Sequence, residues 1–159
     1  MKHDIFIDNN IASRFTRPAD PEYKKLIEWL MNNRKNEEGD EDDRAYLVVS
    51  QKLLSEYYRS CRNDFGKTSI PMIVDKLTKE GRLVKITNQM IKDFKDTHFT
   101  NAVVRNLRSN TEDRDHIPVV LLSERKFALT YDINFTYDLE HFPGFTVTVK
   151  SRPEDIDYR

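Results

Sequence analysis

Short apolar segments alternate with amphipathic segments along this chain, and that alternation limits its fold more than any other feature. The segments DIFI, AYLVVS and KFALTYD are typical of buried strands, whereas the stretches between them carry apolar residues at helical spacing. Strands separated by helices usually pair in parallel and place their helices on both faces of the sheet. The sequence therefore predicts a three-layer α/β/α fold with a mainly parallel central sheet.

Composition favours a single domain over residues 1–159, because the chain is long enough for one core and no change in composition marks a boundary. The segment EEGDEDD, at 37–43, contains six acids and no base, and we interpret it as a solvated loop insertion at about 36–44. Without this loop the net charge changes from -1 to +5, since -1 plus 6 is +5. That mild positive charge is compatible with nucleic-acid binding but does not establish it.

Other simple features restrict where the protein functions. One cysteine excludes a disulfide within the chain and a cysteine-rich zinc site. The longest apolar run, IPVVLL, is too short to span a bilayer, and the first ten residues lack the apolar stretch of a secretory signal. We expect a cytoplasmic protein with no membrane partner.

Four carboxylates occupy equivalent places in the predicted strand–helix units. Asp8 ends the first strand, Asp132 ends a late strand, Asp115 begins a helix, and Glu56 lies one turn into the helix that follows AYLVVS. In parallel α/β sheets, functional residues gather beyond the carboxyl ends of the strands. We therefore expect these four side chains to meet at one edge of the sheet.

A group of ionised carboxylates suggests a particular chemistry. Two of them about 4 Å apart repel each other by about 4 kcal/mol at the effective dielectric of a protein surface. A bound cation offsets that repulsion, and ligands that are all oxygen favour Mg²⁺ or Mn²⁺. Such a centre activates water and stabilises charge on a phosphodiester, which predicts metal-dependent phosphodiester hydrolysis.

Each acid also has a structural interpretation. Asp132 and Asp115 are suitable helix caps, and Glu56 is a suitable solvated partner for Arg59 three residues later. Asp8 is the exception, because a carboxylate directly after the apolar segment IFI has no evident structural role.

Ordered motifs over nearly the whole chain resemble the PIN domain family, closest to the stand-alone PIN proteins regarded as toxins of toxin–antitoxin pairs. The motifs run in the family's order: IFIDNNI with Asp8 and Asn10, LVVSQKLLSEYYR with Glu56, DRDHIPVVLL with Asp113 and Asp115, and FALTYDINF with Thr130, Asp132 and Asn134. The segment FTVTVKSRPEDI has the form of the family's closing strand and Pro-Glu turn. The acidic loop and Asn134, at a position that is often Asp, depart from the family pattern.

The resemblance implies a PIN-like fold and a Mg²⁺- or Mn²⁺-dependent endoribonuclease that leaves a 5′-phosphate and a 3′-hydroxyl. In it Asp8, Glu56, Asp115 and Asp132 hold the metal, with Asp113 as the alternative to Asp115. Supporting roles fall to Asn10 and Asn134, as hydrogen-bond partners of waters or ligands, and to Thr130, which orients Asp132. The implied partners are RNA, an antitoxin protein and a second copy of the chain.

Three arginines are candidates for gripping the phosphates that flank the scissile bond. Arg14 and Arg17 follow the first motif, and Arg59 shares a helix face with Glu56. Forked guanidinium groups suit phosphate oxygens, although ordinary solvated arginine is the alternative for each.

Two further functions stay open. A catalytically silent PIN-like module would bind RNA or protein without cleaving it. A receiver-like phosphotransfer domain would use Lys150 at the end of a late strand, but it leaves Glu56 unexplained. His116, beside Asp115, is expected to be a surface helix residue or a contact of the acidic site rather than a general base.

Overall fold

The computed structural model describes residues 2–16, 20–32, 44–61 and 68–158. Arg17 and the acidic loop, except for Arg44, lie outside the described residues. In order along the chain, the elements are β1 (His3–Ile7), α1 (Asn9–Ala12), α2 (Pro21–Met31), β2 (Ala45–Val49), α3 (Gln51–Ser60), α4 (Ile70–Lys79), β3 (Leu83–Lys85), α5 (Asn88–His98), α6 (Asn101–Asn106), α7 (His116–Leu121), β4 (Phe127–Leu129), α8 (Ile133–Glu140) and β5 (Thr148–Lys150). Short 3-10 turns cover Asp113–Asp115 and Pro153–Asp155.

The five strands form one sheet in the order β3-β2-β1-β4-β5, and every neighbouring pair is parallel. Helices cover both faces of the sheet. The predicted three-layer α/β/α architecture is therefore confirmed. Strand β1 is central, and its residues Ile5, Phe6 and Ile7 are fully buried. Parallel pairing brings the carboxyl ends of all five strands to the same edge, which we call the carboxyl edge.

Local sequence explains several element boundaries at this edge. Ser50 caps α3, because its hydroxyl accepts a hydrogen bond from the Leu53 backbone N–H at 3.1 Å. The backbone N–H groups of Asp8 and Thr130 extend the ladder one residue beyond their strands, to the carbonyls of Leu129 and Lys150. Asp8 and Thr130 therefore occupy neighbouring, fixed positions at the centre of the edge.

Some elements differ from the sequence-based expectation. The sequence DRDHIPVVLLSER predicts one helix, but the segment begins with a 3-10 turn and continues as α7 only to Leu121. The sequence predicts a helical turn over YDLEHF, but helix α8 begins earlier, at Ile133, because Asp132 caps it. The sequence also predicts a helical stretch over NQMIKDFKDTHFTNAVVRNLRSN with a break near THFT, and the break is confirmed, since α5 ends at His98 and α6 begins at Asn101.

Among the described residues, no helix is long and apolar enough to cross a membrane.

Candidate functional site

Asp8 stands at the tip of the central strand with both carboxylate oxygens engaged. Oδ1 accepts a hydrogen bond from the Asn9 backbone N–H at 2.7 Å, which starts α1, and Oδ2 accepts one from the Thr130 hydroxyl at 2.6 Å. Burial raises the pKa of Asp8 above its ordinary value; the Thr130 hydrogen bond opposes that rise, while the nearby Glu56 carboxylate adds to it. Asp8 is therefore a partly buried acid held in one orientation beside another acid.

Asn10 and Thr130 join the ends of β1 and β4 into one network. The Asn10 amide lies 3.3 Å from Asp8 Oδ2, and its carbonyl oxygen accepts the Tyr131 backbone N–H at 3.2 Å. The Thr130 hydroxyl donates to Asp8 and accepts the Asp132 backbone N–H at 3.0 Å. Thr130 thus orients the carboxylate of Asp8, whereas the family resemblance implies that it orients Asp132.

Glu56 faces this network from α3 and is paired with a buried histidine. His116 Nε2 lies 3.0 Å from each carboxylate oxygen of Glu56, and the imidazole is only 3% exposed. The ring packs between Phe6 and Phe135, with centroid distances of 5.7 and 6.4 Å. The sequence predicts one of two roles for His116: a surface helix residue or a contact of the acidic site. The residue is buried, and it contacts the acidic site through Glu56.

The other ring nitrogen of His116 indicates which tautomer is present. Nδ1 is buried, and within the described chain it has no hydrogen-bond partner. A proton on Nδ1 would be buried and unpaired, whereas a lone pair there is less costly. We therefore assign the proton to Nε2, from which it is donated to Glu56.

Asp132 has the capping role considered from the sequence. Its Oδ1 accepts the backbone N–H groups of Asn134 and Phe135 at 2.9 and 3.0 Å, which begins α8. The Asp132 carboxylate also interacts electrostatically with the site, because its charge helps to raise the pKa of Asp113. Asn134 is exposed on the first turn of the same helix.

The structure distinguishes the two acids of the DRDH motif. Burial raises the pKa of Asp113, and the charges of Asp132 and Glu56 raise it further. Asp115, two residues on, instead forms ion pairs with Lys52 at 3.4 Å and with Lys95. The backbone turns by about 240° between the two positions at 3-10 spacing, so they face different neighbours. The geometry therefore favours Asp113, the alternative from the sequence, as the acid that faces the other carboxylates.

The acidic side chains do not close a metal centre in their present positions. Within the described ranges, no three carboxylate, imidazole or thiol side chains are grouped closely enough to hold an ion together. Glu56 is turned onto His116, and one oxygen of Asp132 is used as a cap. The donor set nevertheless has the chemistry of a site for a hard cation, because its four members are all carboxylates linked by mutual repulsion across the edge: Asp8, Glu56, Asp113 and Asp132.

Among the candidate arginines that the structure describes, Arg14 contacts a residue adjacent to this network. It is exposed, and its guanidinium carbon is 4.9 Å from the ring centroid of Tyr131, which separates Thr130 from Asp132. Arg59 is exposed in the last turn of α3. Arg17 lies outside the described residues, so its role stays a prediction.

Sequence reasoning missed the lysines around Asp115. Lys52 precedes Glu56 by four residues, so helical spacing would have placed the two on one face of α3. Lys95 gives no such signal, because its proximity to Asp115 depends on how α5 packs beside α7. The sequence shows that His116 is next to Asp115. It does not show that the His116 ring is buried between two phenylalanines.

Comparison with known proteins supports the fold. No protein-family model and no curated protein matches the sequence. Among solved structures, the chain is similar to one in the crystal structure of VapBC2 from Rickettsia felis bound to a DNA fragment from their promoter. The two share 16% identity with a TM-score of 0.54, and the match covers 92% of this chain and 98% of that chain. The likeness confirms the predicted PIN-like fold.

Proposed function

We propose that this protein, which has a PIN-like fold, is a divalent-metal-dependent endoribonuclease. One observation carries the proposal: four carboxylates lie at the carboxyl edge of a parallel sheet, where burial raises the pKa of Asp8 and of Asp113 and neighbouring carboxylates raise both further. A fold that keeps such repulsion in an accessible position is most simply explained by a cationic ligand. The PIN-like fold supports hydrolysis of a phosphodiester as the reaction class.

Asp8, Glu56, Asp113 and Asp132 would hold the metal, and Asp113 takes the place first expected for Asp115. All four offer carboxylate oxygens, the donors that Mg²⁺ and Mn²⁺ prefer. When bound, such an ion supplies an activated water and stabilises negative charge on a phosphodiester.

The remaining residues of the site position these acids. Thr130 and Asn10 hold the Asp8 carboxylate against the tip of β4, so that it does not rotate into solvent. His116 donates to Glu56 from the core and so restrains that side chain, whose remaining oxygen lone pairs would be available to a metal. Asp132 is oriented by the two backbone N–H groups that it caps. Preorganisation of this kind lowers the cost of assembling the site.

RNA is the proposed substrate, and cleavage would leave a 5′-phosphate and a 3′-hydroxyl. Arg14, stacked on Tyr131, would contact a flanking phosphate, and the Tyr131 ring offers an aromatic surface close to the acids. Arg59, exposed in the last turn of α3, and Asn134, exposed in the first turn of α8, are proposed as secondary contacts.

The protein is also proposed to act in the cytoplasm as the toxin of a toxin–antitoxin pair. The similar solved structure is a VapBC2 complex on promoter DNA, which supports a protein partner for this chain by analogy of fold. A homodimer is the second proposed assembly.

The proposal is tested by incubating purified protein with labelled single-stranded and structured RNAs in Mn²⁺, Mg²⁺ or EDTA. We expect endonucleolytic fragments with 5′-phosphates in Mn²⁺ or Mg²⁺, and none in EDTA or with D8N. RNA binding without cleavage in any metal would instead support the catalytically silent module.

A further inference from the structure

Two lysines from different helices converge on one carboxylate beside the proposed catalytic acids. Lys52 of α3 and Lys95 of α5 both pair with Asp115, the former at 3.4 Å between Nζ and Oδ2. Lys52 also donates to the carbonyl oxygen of Glu112. Both ammonium groups are therefore held in place, although each lysine side chain remains 33% exposed.

The charges in this cluster do not balance. Two ammonium groups face a single carboxylate, and like charges this close repel each other. Burial and the charge of Lys52 both lower the pKa of Lys95. A further anion would therefore be attracted to the pair, and an anion stronger than a carboxylate would compete with Asp115.

There is room for such an anion next to the acids. A cavity of about 320 Å³ is bordered by Lys52, Lys95 and Asp115, together with residues of α5. Lys52 also acts on the other side, because its charge opposes the rise in the pKa of Asp113 that burial mainly causes. The lysine cluster and the carboxylates are thus neighbouring parts of one surface.

We propose that Lys52 and Lys95 form a subsite for a backbone phosphate of RNA, and that the Asp115 carboxylate occupies this subsite until RNA displaces it. This inference rests on the proposed function for the identity of the ligand. A phosphodiester is ionised at all physiological pH values and offers two oxygens to two ammonium groups. Asp115 is thereby a competitor of the substrate rather than a metal ligand.

The test measures binding without metal or cleavage. A fluorescent 2′-O-methyl oligoribonucleotide is titrated with protein in EDTA, which withholds the metal, across a salt series. The variants are D115N, the double variant K52Q/K95Q, and K79Q as a control for loss of an exposed lysine that pairs with Asp75 on α4.

We expect D115N to bind the oligonucleotide several-fold more tightly than wild type, and K52Q/K95Q to bind it more weakly. The slope of log affinity against log salt should become shallower in K52Q/K95Q by about 0.7 for each phosphate that the lysines no longer neutralise. K79Q should match wild type in affinity and slope.

Weaker or unchanged binding by D115N overturns the proposal, as does K52Q/K95Q behaving like K79Q. Equal strengthening in D115N of the binding of fluorescent poly-glutamate would also overturn it, in favour of an acidic protein segment as the ligand. Because no step requires cleavage, a protein that hydrolyses no RNA but gains affinity in D115N would refute the nuclease and leave the subsite standing.

Discussion

Strand β1 has an aspartate near its start and another directly after its end, and the two have opposite surroundings. Asp4 is 1% exposed, and its two oxygens accept the backbone N–H groups of Glu124 and Arg125 at 2.9 and 2.8 Å. Asp8 is only partly buried, and its surroundings include the carboxylate of Glu56. Both acids accept hydrogen bonds, but only Asp8 has a nearby carboxylate that raises its pKa further.

This difference separates a structural carboxylate from a functional one. The hydrogen bonds of Asp4 tie the amino end of β1 to the chain that enters β4, so its charge is compensated within the fold. The raised pKa of Asp8 means that its charged form is disfavoured in the folded protein. Burial alone therefore does not identify an active acid; partial burial beside another carboxylate is the more informative signal.

The largest expected effect is on catalysis at the Asp8 end of the strand. D8N should lower the RNA cleavage rate by more than about 100-fold, because loss of a charged ligand removes several kcal/mol of stabilisation from the metal-assisted reaction. Single-turnover cleavage in Mn²⁺ measures this, with circular dichroism to show that the variant is folded. Cleavage within a few fold of wild type would remove Asp8 from the mechanism.

The residue that supports Glu56 should have the next largest effect. H116F should weaken Mn²⁺ binding by about 10- to 100-fold, the usual result of removing a partner that orients a ligand. Glutamine retains a donor of similar reach, so H116F, which keeps the aromatic packing but has no donor, should be worse than H116Q. Equal Mn²⁺ affinity in H116F and wild type, measured by calorimetry, would show that His116 only fills the core.

At the other end of the strand, a substitution should affect stability and not chemistry. D4N should lower the free energy of unfolding by about 2 kcal/mol, because hydrogen bonds to a charged acceptor become weaker and one acceptor oxygen is replaced by a donor. Urea denaturation gives this value. The cleavage rate per folded molecule should equal that of wild type, and a selective loss of cleavage would contradict the division between the two ends.

The smallest effect is a pH dependence of stability at Asp8. A carboxyl group whose pKa is raised in the folded state stabilises the fold at pH values below its pKa in the unfolded state, near 3.8. That stabilisation is lost as the pH rises through the pKa of the folded state. In metal-free buffer, D8N should therefore gain stability over wild type as pH rises from about 4 to about 7. If the difference in unfolding free energy between D8N and wild type stays constant with pH, the ionisation of Asp8 does not destabilise the folded protein.

Much of this fold follows from the sequence, because strand and helix periodicities alternate and Asp8 stands directly after a buried strand. The sequence could not decide between Asp113 and Asp115. That choice depends on the 3-10 turn before α7, since the local twist of the backbone sets which acid faces Glu56 and which faces Lys95. The pairing of His116 with Glu56 joins positions 60 residues apart, and such contacts are fixed by packing rather than by local pattern.

The most direct test of the metal site is to titrate wild type, D8N, D113N and D115N with Mn²⁺. Isothermal calorimetry measures the affinity, and paramagnetic broadening of NMR signals shows whether the ion binds at the carboxyl edge. We expect D8N and D113N to lose most Mn²⁺ affinity and edge broadening, and D115N to retain both. Equal affinity in all four proteins, or a loss confined to D115N, would contradict the claim that Asp8, Glu56, Asp113 and Asp132 form the metal site.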